Sequence, residues 1–185
     1  MPGFPKVAFT DAVKALQERY GSRASYARKE ATEGDVDLTQ EETAFIESRD
    51  SFYMATINSD GWPYIQHRGG PRGFLRVIDS KHLAFADYVG NRQYISAGNI
   101  ATDDRVALFL MDYPHQERLK IFAHMRTISA EEDPELAAVL APPPGYRAKV
   151  ERIFLLEIVG WDWNCPQHIT PRYTLEELEN VDSAE

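Results

Sequence analysis

The 185-residue chain is long enough for one domain with a sizeable core, and 43% hydrophobic with 11% aromatic residues excludes general disorder. A formal charge of −9 excludes nucleic acid or an anionic membrane as a bulk partner, because both require a positive surface. No apolar run reaches the about 18 residues of a membrane span, residues 1–6 carry no signal-like core, and the lone Cys165 precludes an internal disulfide, so a cytoplasmic location is expected.

In chain order, Val13, Leu16 and Tyr20 predict an amphipathic helix over Phe9–Tyr20, stopped by Gly21. Ser22 to Val36 is polar and reads as a partly ordered loop. Thr39-Gln-Glu-Glu42 is a capping box that opens a second helix through Ser48. The period then shortens to two. Phe52–Ile57, the turn Asn58-Ser-Asp-Gly61 and Trp62–Arg68 form a hairpin, with Trp62, Tyr64, Gln66 and Arg68 on one face. Gly73–Ile78 and His82–Ala86 form another around Asp79-Ser-Lys81, and Asn91–Asn99 reads as a helix. Arg105–Asp112 is continuously apolar, as in a strand covered on both faces. Arg118–Thr127 alternates, with Leu119, Ile121, Ala123 and Met125 inward and Arg118, Lys120, His124 and Arg126 outward. Asp133–Leu140 is a short helix ended by Pro142-Pro-Pro-Gly145, and Ile153–Val159 is a last strand. Six or seven antiparallel strands with few helices predict a mainly β protein with flanking helices, closed as a small barrel or stacked as a sandwich.

Candidate chemistry gathers in three places. The first is Phe85–Asn99, where an apolar run breaks at Asp87, passes Gly90-Asn-Arg92 and turns into a helix. Arg92 has the wrong sign for a helix N-terminus unless an anion sits between it and the backbone amides. The second is Arg68-Gly69-Gly70, either a surface arginine beside a bulge or a guanidinium with bare backbone beside a flat ligand. Together they suggest the phosphate end and the ring end of a nucleotide-like cofactor. The third is the tail Gly160–Arg172. Trp161 and Trp163 there serve a core, an interface or a lid on an aromatic cofactor. Cys165 and His168 are two metal ligands at best, without a matching pair elsewhere, so no metal site is expected. Arg118 and Lys120 read from the pattern alone as a solvated face.

Five segments carry a family resemblance: Phe52-Tyr-Met-Ala-Thr56, Asp60-Gly-x-Pro63, Arg68-Gly-Gly-Pro-x-Gly-Phe74, Asp87-Tyr-x-Gly-Asn-Arg-Gln93 and Asn164-Cys-Pro-Gln-His168. Across residues 40 to 175 the chain resembles the flavin-nucleotide-binding relatives of pyridoxamine 5′-phosphate oxidase. The resemblance implies an antiparallel, FMN-binding split β-barrel that forms a homodimer with flavin at the subunit interface. It divides the chain into an N-terminal helical segment (1–50), a barrel (51–163) and a C-terminal lid or tail (164–185). It also implies that Arg68 reaches the FMN phosphate and that Gly69 and Gly70 lie against the flavin. Asn91, Arg92 and Gln93 stand where the family has a Ser-Arg-Lys clamp, with one charge fewer because Gln93 replaces the lysine. Phe85 and Ala86 stand where Tyr-Thr is common, and Arg118 lies beside the position of a flavin-contacting glutamine. Trp163 and Asn164 occupy the ring side. The family's Arg-x-His-Asp-Arg segment is not found, so a substrate other than pyridoxamine phosphate is expected.

The expected activity is an FMN-dependent oxidoreductase acting on a small-molecule redox substrate, with His168 as a candidate proton donor. The same motifs suit a non-catalytic flavin carrier or redox sensor. A related barrel using deazaflavin also stays open, as does one using haem with His67, His124 or His168 as ligand.

Overall fold

Near residue 51 the alternating pattern starts a single seven-stranded antiparallel sheet. The computed structural model describes residues 3–32, 37–163 and 165–182. Four helices precede the sheet: α1 (Phe4–Ala8), α2 (Asp11–Arg19), α3 (Arg23–Thr32) and α4 (Gln40–Glu47). The strands are β1 (Ser51–Ile57), β2 (Pro63–Gly69), β3 (Leu75–Asp79), β4 (His82–Tyr88), β5 (Arg105–Asp112), β6 (Glu117–Ile128) and β7 (Val150–Trp163). Helix α5 (Ile95–Ile100) follows β4, α6 (Pro134–Val139) follows β6, and α7 (Leu175–Asp182) lies in the tail. No described helix is long and apolar enough to cross a membrane.

Strand order is β2-β1-β5-β6-β7-β4-β3. The sheet curls around one core, with Phe52, Met54, Leu108, Ile121 and Phe154 each 2% exposed or less. Its flanks, β2 and the β3–β4 hairpin, share no backbone ladder. They meet through side chains, with Arg68 of β2 reaching Asp87 of β4. That leaves a split between them. A second, smaller core forms on the outer face of β4, β7 and β6, where Ala84, Ala86, Ile128 and Ile153 are covered by Leu136 and Leu140.

Several elements differ from the sequence expectation. The predicted Phe9–Tyr20 helix is α2, which starts at Asp11 because Thr10 caps it by accepting from the Val13 amide, and the short α1 before it was not expected. The predicted loop over Ser22–Val36 is helical as far as Thr32. Helix α3 lacks an apolar stripe, so periodicity missed it. It is built from good helix formers, and Glu30 pairs with Arg23 and Lys14 of its neighbourhood. β5 is not covered on both faces. Val106, Leu108 and Leu110 are buried, but Ala107, Phe109 and Met111 on the other face are half-exposed. α1 docks on the outer face of the sheet, where Phe4 stacks on Phe122 at 4.8 Å between ring centroids. Gly160 makes that approach feasible, since a Cβ there would lie 2.2 Å from the Phe4 nitrogen.

Candidate functional site

The split in the barrel opens into a cleft of about 180 Å³. Alternation on β2 directs Tyr64, Gln66 and Arg68 to the inner face, opposite Thr56, Met54 and Phe52. β4 contributes Asp87 and Tyr88, the turn after it Asn91 to Tyr94, α5 Ser96, and β7 Glu151. Two hydrogen bonds hold α5 against the first hairpin: Ser96 Oγ donates to Gln66 Oε1 at 3.0 Å, and Asn99 Nδ2 to Thr56 Oγ1 at 2.9 Å.

A chain of charges runs through the cleft. Arg68 Nη1 bonds Asp87 Oδ1 at 2.6 Å, and its guanidinium lies over the Phe154 and Phe85 rings. Asp87 and Arg152 are cross-strand partners in the β4–β7 register, and Arg152 Nε approaches Asp87 Oδ2 at 3.3 Å. Arg152 also meets Glu151 at 3.0 Å and covers the Tyr94 ring. Tyr94 in turn donates its hydroxyl to Glu151 at 2.7 Å. Arg68 Nε is buried without a hydrogen-bond partner, a donor aimed at nothing the chain supplies.

These contacts set protonation. Burial pushes the Asp87 carboxyl above its ordinary value, outweighing the two guanidiniums beside it. The hydrogen bond to Glu151 raises the Tyr94 hydroxyl, and the same bond, helped by Arg152 and Arg92, holds the Glu151 carboxyl low. Burial, with the neighbouring Tyr146, raises Tyr88.

The turn departs from the predicted helix over Asn91–Asn99. α5 begins only at Ile95, so Arg92 precedes the helix rather than sitting in its first turn. Asn91 Oδ1 accepts from the Gln93 amide at 3.1 Å, and both Arg92 (φ 57°) and Tyr94 (φ 55°) adopt the left-handed conformation. Such strain persists where surrounding structure enforces it. An anion here therefore meets Arg92 from a turn, and the first turn of α5, Ile95 to Ala97, lines the cleft beside it.

The structure brings Arg68, Asn91, Arg92 and Gln93 to this one cleft. Gly69 and Gly70 lie at the end of β2. Gly70 is required by the chain's own packing, because a Cβ would stand 2.6 Å from the Phe74 ring. Phe85 and Ala86 are core side chains, so a ligand meets at most their backbone. Arg118 and Trp163 do not line the cleft. Arg118 faces Met111 across the β5–β6 pair, and Trp163 lies beside Leu119. The Trp163 ring packs edge-on to Phe45 at 4.7 Å, and its indole N–H donates to Glu42 Oε1 at 2.8 Å. Asn164 lies outside the described residues. His168 is exposed at φ 66°, just before Ile169, which is buried and whose carbonyl accepts from Gln116 Nε2 at 2.6 Å. Among the described residues no three of His, Cys, Asp and Glu are grouped to hold a metal ion, and no histidine lines the cleft.

Sequence reasoning missed Asp87, Tyr94, Glu151 and Arg152 as site residues. For Asp87 the signal was present: a carboxylate interrupting an apolar run on a strand with buried neighbours. For Glu151 and Arg152 nothing local distinguished them from an ordinary charged strand start.

The family model described as pyridoxamine 5′-phosphate oxidase matches residues 38–153. No curated protein matches the sequence. Among solved structures, the chain is similar to a protein from Lactobacillus delbrueckii provisionally described as a pyridoxamine 5′-phosphate oxidase. That match has 23% identity, 70% coverage of this chain, 97% of the other and a TM-score of 0.52. An FMN-binding protein from Syntrophomonas wolfei matches at 11% identity, 82% and 97% coverage and a TM-score of 0.51. HupZ of Group A Streptococcus matches at 13% identity, 74% and 100% coverage and a TM-score of 0.52. At such identities the likeness shows a shared fold, the split barrel.

Proposed function

This chain belongs to the pyridoxamine 5′-phosphate oxidase family, and on that premise we propose that it is an FMN-dependent oxidoreductase whose cofactor phosphate seats in the Arg68–Arg92 cleft. One observation carries the reading: Arg68 presents a buried, unpartnered N–H in the same cleft that Arg92 rims. Guanidiniums are the usual partners of phosphate, and an orphaned buried donor costs free energy until an acceptor arrives. Arg68 and Arg92 bond the phosphate, Asn91 and Gln93 add hydrogen bonds, and Gln66, Ser96 and Tyr64 line the way out of the cleft. When bound, FMN supplies the hydride and electron transfer, and the protein supplies orientation and exclusion of water.

The cleft holds about 180 Å³, less than the roughly 300 Å³ at which ligand pockets begin. The flavin ring therefore extends beyond one chain, and a homodimer completes its site. Arg118 and His168, which do not line the cleft, reach the ring only from a partner copy. An apolar groove of about 430 Å³, lined by Tyr53, Ile65, Phe109 and Phe122, gives the outer sheet face a surface for that partner. Exposed Cys165 stays a thiol in a reducing cytoplasm.

The purified protein is expected to show the visible absorption of oxidised flavin and to release a ligand with the mass of FMN. A deazaflavin, a haem or no chromophore after loading with FMN overturns the assignment. Bound FMN that no donor reduces reassigns the protein as a carrier.

A further inference from the structure

The cleft is charged more sparingly than a phosphomonoester demands. Arg68 and Arg92 line it together with Asp87 and Glu151, and Arg152 stands behind both carboxylates, so three positive charges meet two negative ones. One net positive charge then faces a group that carries close to two negative charges above about pH 7. The carboxylate nearest Arg68 is Asp87, at 2.6 Å, so the guanidinium assigned to the phosphate already holds an internal anion.

We propose that Asp87 is the specificity-determining carboxylate of this cleft: it matches the site to a singly charged phosphate, so a phosphomonoester dianion enters only with uptake of one proton. The inference rests on the FMN reading above. The proton comes from solvent and resides on Asp87 or on the phosphate oxygen that displaces it from Arg68. Every group that faces Asp87 fits this role. Arg68 on β2 and Arg152 on β7 face it as guanidiniums, and the Glu151 carboxyl is held low by its bond from Tyr94. Tyr88 on the same strand stays neutral, and Arg92 lies on the turn beyond. Asp87 is the group already displaced toward protonation, since burial raises its carboxyl. A second anion beside it displaces it further.

The test titrates FMN, and riboflavin as the phosphate-free probe, into flavin-free wild type and Asp87→Asn from about pH 6 to about pH 8, with the phosphate's second pKa near ~6. Near the upper limit the variant is expected to bind FMN about tenfold more tightly than wild type, because a like charge has gone. That advantage shrinks toward the acid limit, while riboflavin binds both proteins alike. Calorimetry of wild type in two buffers of different ionisation enthalpy is expected to count about one proton taken up per FMN at the alkaline end. Equal or weaker FMN binding by the variant there overturns the proposal and makes Asp87 an orienting counter-ion for its arginines. Zero proton uptake by wild type overturns it as well, and that measurement decides alone if the variant does not fold. FMN binding with a flat proton count leaves the cofactor reading intact. Binding of neither flavin overturns both.

Discussion

Around Arg68, four charged side chains from β2, β4, β7 and one strained turn line a cleft, backed by Arg152, and leave a buried donor unpaired. Around Trp163, at the other extreme, the indole and the carboxylate it meets are bonded within the chain. The indole bonds Glu42, Glu42 also accepts from the Thr39 amide and hydroxyl, and the ring closes on Phe45. The segment that looked densest in special residues anchors α4 to the barrel within its own chain. The plainer end of β4 at Asp87 and the start of β7 at Glu151–Arg152 build the cleft. Scarcity of a residue type marks cost, whereas an unsatisfied buried polar atom marks a place for a ligand.

Removing both guanidiniums tests the contrast most severely. Arg68→Ala with Arg92→Ala is expected to lose about 3 kcal/mol or more of FMN binding, at roughly 1.5–3 kcal/mol for each charge-assisted contact. Flavin titration reads the loss, and retained affinity would sink the site assignment. Asp87 keeps its Arg152 partner in that variant, so the fold is expected to survive.

Trp163→Ala is expected to do the reverse. It deletes the edge-on contact with Phe45 and the bond to Glu42, costing about 2–3 kcal/mol of stability as measured by urea unfolding. The ratio of FMN to riboflavin affinity, which isolates the phosphate, should not move. A changed ratio with unaltered stability would transfer Trp163 to the binding machinery.

Acidification is the mildest test, and the two regions respond with opposite signs. Burial pushes the Glu42 carboxyl up, but bonds from Thr39 and Trp163 hold it below its ordinary value. Its contribution is therefore present above the unfolded carboxylate pKa and is lost as pH falls through the folded one. Asp87 is raised, so native protein binds more protons than unfolded chain just above the ordinary carboxylate range, and stability from that group declines as pH rises there. Glu42→Gln should flatten the acid-side loss of stability below about pH 5. Asp87→Asn should gain relative to wild type as pH rises across that window. Identical pH profiles for the two variants would erase the distinction.

Periodicity and turn chemistry determined most of the sheet. The Asn58–Gly61 turn set the first hairpin, alternation placed Tyr64, Gln66 and Arg68 on one inner face, and the capping box at Thr39 opened α4. The five motifs announced the family, and Arg68 and Arg92 were legible as candidates from their glycine and turn settings. These signals are local, carried by residues within a few positions of one another. Tertiary structure alone decided that Asp87 stands between Arg68 and Arg152, that Trp163 serves Glu42, and that one face of β5 is only half-covered. Each of those facts depends on which strands become neighbours after the sheet curls. Strand order brings together residues 19 to 121 positions apart, a separation at which the sequence has no period to read.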